Sequence, residues 1–283
     1  MNQNQVLLLS LLRAALFGEK LDASAFAEAN WKQILRLADI QTVSSLALDG
    51  MGMLPTSALR MPLGEKLSHI GKLQRLEQVN MLHRCVIVKI DQTLKSEGIP
   101  VVFMKGQTTA LRYPNPLHRT PGDIDFVVNP KDFKKTMEVL EKIGKVDHHL
   151  VHEHHGMAWV DGVTVEPHYK VHNYQSPSTD YAMQEMFASV FPSELSSADM
   201  DGYAVPVFPP TFESVFLISH MVNHVYEEGL GLRQVIDYAM FLSSCADKID
   251  WLQHHEYLHQ MHMERAWRIF TCICVDYLGM PLP

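Results

Sequence analysis

Gly122-Asp123-Ile124-Asp125-Phe126-Val127-Val128 is the stretch that decides the fold of this chain. Side chains of a β-strand alternate between two faces, so Asp123 and Asp125 share one face while the apolar residues between and after them turn toward a core. Two carboxylates facing one space repel each other unless a cation lies between them. Mg²⁺ accepts a few carboxylate oxygens together with phosphate oxygens. The stretch predicts a buried strand that carries a metal site for phosphoryl-group chemistry.

A strand and a glycine turn precede this stretch. Val101 to Met104 predicts a buried strand, Lys105-Gly106 a turn, and Gln107 to Tyr113 a short helix stopped by proline. At a helix N-terminus, Gly106 lets backbone N–H groups approach a phosphate, and the helix dipole adds partial positive charge. Lys105 and Arg119 would supply full charges. The alternatives are a plain strand-to-helix turn and a surface arginine.

A third carboxylate follows on a predicted hairpin. Gly156 to Val160 and Val163 to Val171 alternate like antiparallel strands joined by Asp161-Gly162, a hairpin signal. Glu166 and His168 share one face of the second strand. Three carboxylates can bridge two metals that stabilise the attacking and leaving oxygens of an in-line displacement at phosphorus. The alternative for Glu166 is an exposed strand residue paired with a cation.

Spacing alone does not identify a metal site. Asp199-Met200-Asp201 has the same spacing as Asp123-Ile124-Asp125, but it lies in a polar stretch without a preceding glycine turn. We interpret Asp199-Met200-Asp201 as a solvated loop. The context of the first triplet, with Gly106 before it and Glu166 after it, therefore carries the prediction.

The rest of the chain is mainly helical in pattern. Apolar residues recur at three- and four-residue spacing from residue 4 to about residue 98 and again after Pro209. Further elements are predicted as a helix over 130–143, strands over 146–151 and 203–208, and helices over 64–97, 211–227, 232–245, 251–262 and 264–278. Strands between helical blocks favour an α+β fold, a small mixed sheet with helical flanks. The expected domains are 1–98, 99–208 and 209–283.

The composition of the chain limits the kinds of partner that we expect it to bind. The chain has 283 residues, 47% of them hydrophobic, and a net charge of -8, which argues against binding long nucleic acids. The four cysteines lack CxxC spacing, so we expect reduced thiols in a cytoplasmic protein. The apolar run Val6 to Phe17 is shorter than the roughly 20 residues that span a bilayer, so no membrane association is expected.

Histidines are numerous, at 16. The cluster of His148, His149, His152, His154 and His155 matches neither HExxH nor the spacing of structural zinc sites, and we interpret it as surface or loop histidines. His168, beside Glu166, is the better candidate for the site.

Two further pairs lie four residues apart on predicted helices, where such residues are neighbours on one face. The pairs are His220 with His224 and Arg233 with Asp237. They lie either at the mouth of a nucleotide or acceptor site, or in a polar seam where Arg233 pairs with Asp237.

Together these residues resemble the uncharacterised nucleotidyltransferase family, a branch of the DNA polymerase beta-like superfamily. The resemblance spans roughly residues 98 to 245 and rests on Phe103-Met104-Lys105-Gly106, Tyr113-Pro114, Arg119, Gly122 to Val128, Val165-Glu166-Pro167-His168, His220 to His224 and Gly231 to Asp237. It implies a small mixed sheet, Mg²⁺ as cofactor and a nucleoside triphosphate as donor. At the phosphate turn the superfamily commonly has Gly-Ser or Gly-Gly, whereas this chain has Gly106-Gln107.

The leading hypothesis is transfer of a nucleoside monophosphate, AMP if ATP is the donor, to a hydroxyl of an unknown small-molecule or protein acceptor with release of pyrophosphate. The resemblance implies that Asp123 and Asp125 hold two Mg²⁺ ions, with Glu166 as third ligand or base. Lys105, Gly106, Gln107, Arg119 and His168 would contact the nucleotide. Two alternatives stay open: a non-catalytic module that senses nucleotide or binds a protein, and a histidine-based metallohydrolase.

Overall fold

A mixed β-sheet lies at the centre of the protein. The computed structural model describes residues 1–147, 149, 154–174, 176–227 and 229–282. The strands are β1 (Val101–Met104), β2 (Ile124–Val128), β3 (Lys145–Asp147), β4 (Met157–Val160), β5 (Val163–His168), β6 (Ser196–Met200) and β7 (Tyr203–Val207). They form one sheet in the order β3-β4-β5-β2-β1-β7-β6. The β2–β5 and β1–β7 pairs are parallel and the others antiparallel, so the predicted α+β class with a mixed sheet is confirmed.

Helices precede and follow the strands of this sheet along the chain. Within the described residues they are α1 (Gln3–Phe17), α2 (Trp31–Ile40), α3 (Ser44–Gly52), α4 (Leu63–Ser96), α5 (Gln107–Ala110), α6 (Phe133–Glu141), α7 (Pro177–Val190), α8 (Pro210–Glu227), α9 (Leu232–Cys245), α10 (Trp251–Gln260) and α11 (Glu264–Asp276). Among them, no helix combines the length and apolar character that crossing a membrane requires.

The two faces of the sheet pack into different cores. On β2, Ile124, Phe126 and Val128 join a core that includes the C-terminal half of α4. Val127 lies on the opposite face and joins a second core, built largely from the N-terminal and C-terminal helices. This alternation confirms the predicted apolar face of β2 and leaves Asp125 on the side of the second core.

Some elements differ from the sequence prediction. Helix α5 ends at Ala110 rather than Tyr113, and β5 ends at His168 rather than Val171. The interpretation of Asp199-Met200-Asp201 as a loop is wrong, because Asp199 and Met200 belong to β6 and Asp201 begins its turn into β7. Polar residues alternate with Ala198 and Met200 along this edge strand, and that alternation was the missed signal.

Two other differences concern residues before and after β4. Of the predicted strand over 146–151, the structure has β3 at Lys145–Asp147, and residues 148 and 150–153 lie outside the described part of the chain. Helix α7 has no counterpart among the predicted elements. The predicted boundaries near residues 98 and 209 coincide with the end of α4 and the start of α8, and the three-domain division itself stays a prediction.

Helix α3 packs so closely on α1 that Gly50 leaves no room for a side chain. A Cβ on Gly50 would lie 2.3 Å from the backbone oxygen of Leu11, whereas one on Gly52 would meet nothing within 4 Å. We expect Gly50→Ala to lower the free energy of unfolding by about 1–3 kcal/mol through forced separation of the helices. Urea denaturation measures this loss. Gly52→Ala, on the same helix, is the matched control; an equal loss in both variants would contradict the packing explanation.

Candidate active site

The register of two parallel strands brings the acidic residues together. In the β2–β5 pair, Asp125 lies directly opposite Glu166, and Val127 lies opposite His168. Since β2 sits between β1 and β5, the turn that follows β1 reaches the same end of the sheet. The residues of three separate sequence motifs therefore meet at one place.

The side chains at this place form a compact set of possible metal ligands. Ligand atoms of Asp125, Glu166 and His168 all lie within 4.8 Å of one another. The His168 Nε2 atom is 3.0 Å from Asp125 Oδ1 and 3.9 Å from Glu166 Oε2. Asp123, which lines the same cavity as Asp125, is close enough to interact electrostatically with both other carboxylates. The three predicted carboxylates thus converge.

The mutual repulsion of these carboxylates is reflected in their pKa values. Repulsion by Asp125, followed by burial, raises the pKa of Asp123. Burial, together with the charges of Asp125 and Asp123, raises the pKa of Glu166 to about 8. Burial also disfavours the charged form of Asp125, but the Lys105 ammonium and the His168 hydrogen bond outweigh it and hold the pKa of Asp125 well below its usual range. Asp125 is therefore the stably ionised member of the set.

Lys105 supplies positive charge at the centre of this set. Its Nζ atom is 3.1 Å from Asp125 Oδ2, and the side chains are 22% and 2% exposed. Lys105 has a φ of 46° and Gly106 a φ of 58°, so two consecutive residues of the turn lie in the left-handed region. This conformation is strained for lysine and natural for glycine, which explains the Lys-Gly sequence at the end of β1.

The Gln107 side chain faces away from this turn and is buried. It donates a 2.5 Å hydrogen bond to Asn80 Oδ1 on α4, and Asn80 in turn donates to the backbone oxygens of Leu117 and Arg119. The unusual residue at the phosphate turn therefore ties α4 to the loop before β2. The prediction that a helix dipole assists phosphate binding is weakened, because α5 has only 4 residues.

A cavity of about 270 Å³ opens beside the carboxylates. Its sheet side is lined by Lys105, Gly106, Asp123 and Asp125, and its helical side by His220 and His224 of α8 and by Arg233 and Asp237 of α9. The Nε2 atoms of the two histidines are 3.1 Å apart. Both helix pairs singled out in the sequence therefore line this cavity.

Arg119 makes a buried ion pair that sequence analysis missed. Its Nε and Nη2 atoms donate to Asp237 Oδ1 and Oδ2, each at 2.8 Å, and its third nitrogen donates to the Thr120 backbone oxygen at 3.2 Å. Tyr113 also donates to Asp237, at 2.6 Å. The alternative in which Arg233 pairs with Asp237 is therefore wrong: Asp237 binds Arg119, and the Arg119 guanidinium, which also lines the cavity, is held in this ion pair.

The positive charge of Arg233 is compensated less fully by neighbouring groups than that of Arg119. Its Nη1 atom donates a long 3.4 Å hydrogen bond to the Thr120 backbone oxygen, and its buried Nε atom has no hydrogen-bond partner among the described residues. Burial, followed by repulsion from Arg119, lowers the pKa of Arg233. An anion in the cavity would relieve both penalties.

The histidines before β4 lie closer to the site than expected. His155 is buried, with its Nδ1 atom 3.7 Å from Glu166 Oε2, and the His154 ring contacts those of His155, His168 and His172. His155 lies in the segment before β4, as the surface-or-loop interpretation allows, but its side chain is buried rather than exposed. His149 is exposed as predicted, whereas His148 and His152 lie outside the described residues. A bridge between His155 and His168, a tertiary contact, creates this proximity.

The donor set fits a divalent cation that prefers oxygen ligands. Three carboxylates converge, repulsion between them and burial raise the pKa values of Asp123 and Glu166, and a cation among them would relieve the repulsion. Asp125 and Glu166 are the best placed to hold it, with Asp123 beside them. An imidazole at Asp125 helps to fix the orientation of that carboxylate.

A mixed sheet that presents three carboxylates beside a lysine-glycine turn defines a nucleotidyltransferase-like protein. The chain belongs to the uncharacterised nucleotidyltransferase family, whose model matches residues 27–279. The match extends over both helical regions, beyond the 98–245 span of the motifs. No curated protein matches the chain.

Similar solved structures include two of the antibiotic-resistance factor ANT(2'')-Ia. The solution structure has a TM-score of 0.42 and 13% identity, covering 68% of this chain and 97% of that protein. The complex with adenylyl-2''-tobramycin has a TM-score of 0.43 and 12% identity, covering 62% and 97%. An antigenic nucleotidyltransferase-like protein from Paracoccidioides brasiliensis has a TM-score of 0.37 and 14% identity, covering 68% and 92%. These likenesses are too distant to transfer the role of any residue.

Proposed function

We propose that this protein transfers a nucleoside monophosphate from a nucleoside triphosphate, with ATP as the expected donor, to a hydroxyl group. The acceptor oxygen bonds to the α-phosphorus while the bond from that phosphorus to the bridging oxygen breaks, which releases pyrophosphate. The observation that carries the proposal is the cluster of Asp125 with Glu166, next to a cavity that Asp123, Asp125 and Lys105 line. We place the reaction in the cytoplasm, where the cysteines stay reduced.

In this proposal the carboxylates have distinct tasks. Asp123, Asp125 and Glu166 hold Mg²⁺, which when bound supplies positive charge to the phosphate oxygens. We also assign to Glu166 the acceptance of the proton from the acceptor hydroxyl, since a pKa near the working pH suits a general base. His168, buried on β5, keeps Asp125 oriented.

The triphosphate tail is held by the cationic side of the cavity. We assign this task to Lys105, to the backbone N–H groups of Gly106 and Gln107, and to Arg233. Arg119 instead positions Asp237 and Tyr113, and so fixes the loop before β2 against α9. Catalysis then consists mainly of positioning and charge neutralisation.

Arg233→Met tests the assignment of the free arginine. Since the charge of Arg233 is only partly compensated in the cavity, its removal should weaken binding of MgATP about tenfold or more without lowering the free energy of unfolding. Isothermal titration calorimetry and urea denaturation measure the two quantities. Arg75→Met, at an exposed position of α4, controls for the loss of one positive charge. Unchanged MgATP affinity in Arg233→Met would remove Arg233 from the site.

The acidity of Glu166 predicts how metal binding depends on pH. Its pKa of about 8 means that the carboxyl is largely protonated at neutral pH, so a metal must displace that proton. We expect the affinity for Mn²⁺ to rise up to about tenfold per pH unit below pH 8 and to level off above it. Calorimetry between pH 6.5 and 9 measures this slope. Glu166→Gln should bind more weakly and with a flatter pH profile; an unchanged slope would contradict the assignment.

One pair of measurements separates the proposal from its alternatives. We expect ATP to bind in a Mg²⁺-dependent manner in calorimetry and pyrophosphate to appear when hydroxyl compounds are added. Mg²⁺-dependent binding without pyrophosphate, across sugars, polyols and serine-, threonine- and tyrosine-containing peptides, would favour a nucleotide-sensing module. Stoichiometric zinc in the purified protein, with no ATP binding, would favour a histidine-based metallohydrolase.

A further inference from the structure

The Lys105 ammonium supplies positive charge to the carboxylates, as a metal ion bound there would. Its ammonium pairs with Asp125 at 3.1 Å and lies close enough to Asp123 and Glu166 to interact with both charges. One lysine thus faces three carboxylates. It neutralises only part of their negative charge, and the pairing uses Asp125, the carboxylate with the lowest pKa of the three.

The same side chain also faces the cavity assigned to the triphosphate. Lys105 lines that cavity together with Asp125. Its four-carbon stem is flexible, and its ammonium is a point charge that can change partners, in contrast to the planar fork of an arginine. The left-handed turn at Lys105-Gly106 sets the direction in which this side chain leaves the backbone.

We propose that Lys105 is an internal counter-ion that competes with the metal for Asp125 until a triphosphate draws it away. This inference rests on the proposed function. In the free protein the Lys105 ammonium holds the carboxylates together. A bound triphosphate offers Lys105 stronger anionic partners, which frees Asp125 for the metal.

The consequence is coupled binding. A metal alone must displace Lys105 from Asp125, whereas a metal that arrives with a triphosphate does not, so each ligand strengthens the binding of the other. The protein then selects the metal–triphosphate complex over free metal. The coupling depends on the charge of Lys105, so it should disappear when that charge is removed.

Binding of Mn²⁺ alone, without nucleotide, tests the inference directly. Mn²⁺ accepts the same oxygen ligands as Mg²⁺ and can be followed by calorimetry and by the electron paramagnetic resonance signal of the free ion. At pH 8.5 we expect Lys105→Met to bind Mn²⁺ about tenfold or more tightly than the wild type, because a repelling charge has left the site. Lys105→Gln, which keeps a hydrogen-bond donor near Asp125, should show the same gain and serves as the second variant if Lys105→Met fails to fold.

Two controls separate local from general effects. Lys105→Arg keeps the charge and should bind Mn²⁺ as weakly as the wild type. Lys89→Met removes a lysine paired with Asp161 at 2.9 Å on the surface, and should leave Mn²⁺ affinity unchanged within about twofold.

The outcomes are distinct. Mn²⁺ affinity in both neutral variants equal to or below that of the wild type would overturn the inference and leave the proposed function standing. Absence of Mn²⁺ binding in the wild type and in all variants would also overturn the inference, and the proposed function would fall with it only if Mg²⁺-dependent ATP binding were absent too. Weaker MgATP binding by Lys105→Met, alongside its tighter Mn²⁺ binding, is the further expected result.

Discussion

Asp125→Asn is expected to reduce Mg²⁺-dependent pyrophosphate release by about a thousandfold or more. Asp125 is the stably ionised carboxylate, it contacts Lys105 and His168, and its side chain is only 2% exposed. An amide in its place keeps the shape and the contact with His168 but removes the charge that would hold a cation. A coupled assay for pyrophosphate measures the loss, and circular dichroism with urea denaturation checks the fold.

Asp199→Asn is the matched control for this variant, since Asp199 belongs to the other Asp-x-Asp triplet. Asp199 is exposed and accepts a hydrogen bond from the Gly202 backbone, a role that asparagine can also fill. We expect wild-type activity. Retained activity in Asp125→Asn, or equal losses in the two variants, would contradict the site described above.

Arg119→Met is expected to have the largest effect on stability. Arg119 and Asp237 are each 5% exposed and form a two-pronged ion pair, so removing the arginine leaves an uncompensated buried carboxylate. Loss of one partner of such a pair costs about 3–5 kcal/mol of unfolding free energy. Urea denaturation should show this loss, and Arg119→Met/Asp237→Leu should recover part of it.

Arg60→Met provides the matched comparison. Arg60 pairs with Glu28 at 3.1 Å, but the side chains are 67% and 85% exposed, so the expected loss is below about 1 kcal/mol. If Arg119→Met instead kept full stability and lost MgATP binding, Arg119 would return to the nucleotide site that its sequence context suggested.

Local pattern was sufficient to predict the parts of the fold that depend on neighbouring residues. The alternation in Gly122 to Val128, the Asp161-Gly162 turn and the long apolar period of α4 each predicted an element that the structure contains. Strand β7 was predicted, whereas helix α7 and strand β6 were missed; β6 is mostly polar and gains stability by pairing with β7 at the sheet edge.

For the site residues, alternation along each strand predicted the face on which a side chain lies. It did not predict which residues the side chain contacts. Alternation placed Asp123, Asp125 and Glu166 on defined faces, but the register that sets Asp125 opposite Glu166 is a tertiary property. Asp237 pairs with Arg119 rather than with Arg233, and His155 lies close to Glu166. Both arrangements depend on contacts between residues more than 10 positions apart. No local signal distinguishes these partners.

The most direct test of the account follows the α-phosphate of ATP. The protein is incubated with Mg²⁺, ATP labelled at the α-phosphate and a mixture of hydroxyl compounds, with Asp125→Asn in parallel. We expect pyrophosphate to accumulate while the label becomes covalently attached to a hydroxyl acceptor, in the wild type only. ADP and inorganic phosphate as the products, or no pyrophosphate above the Asp125→Asn background with any acceptor, would contradict it.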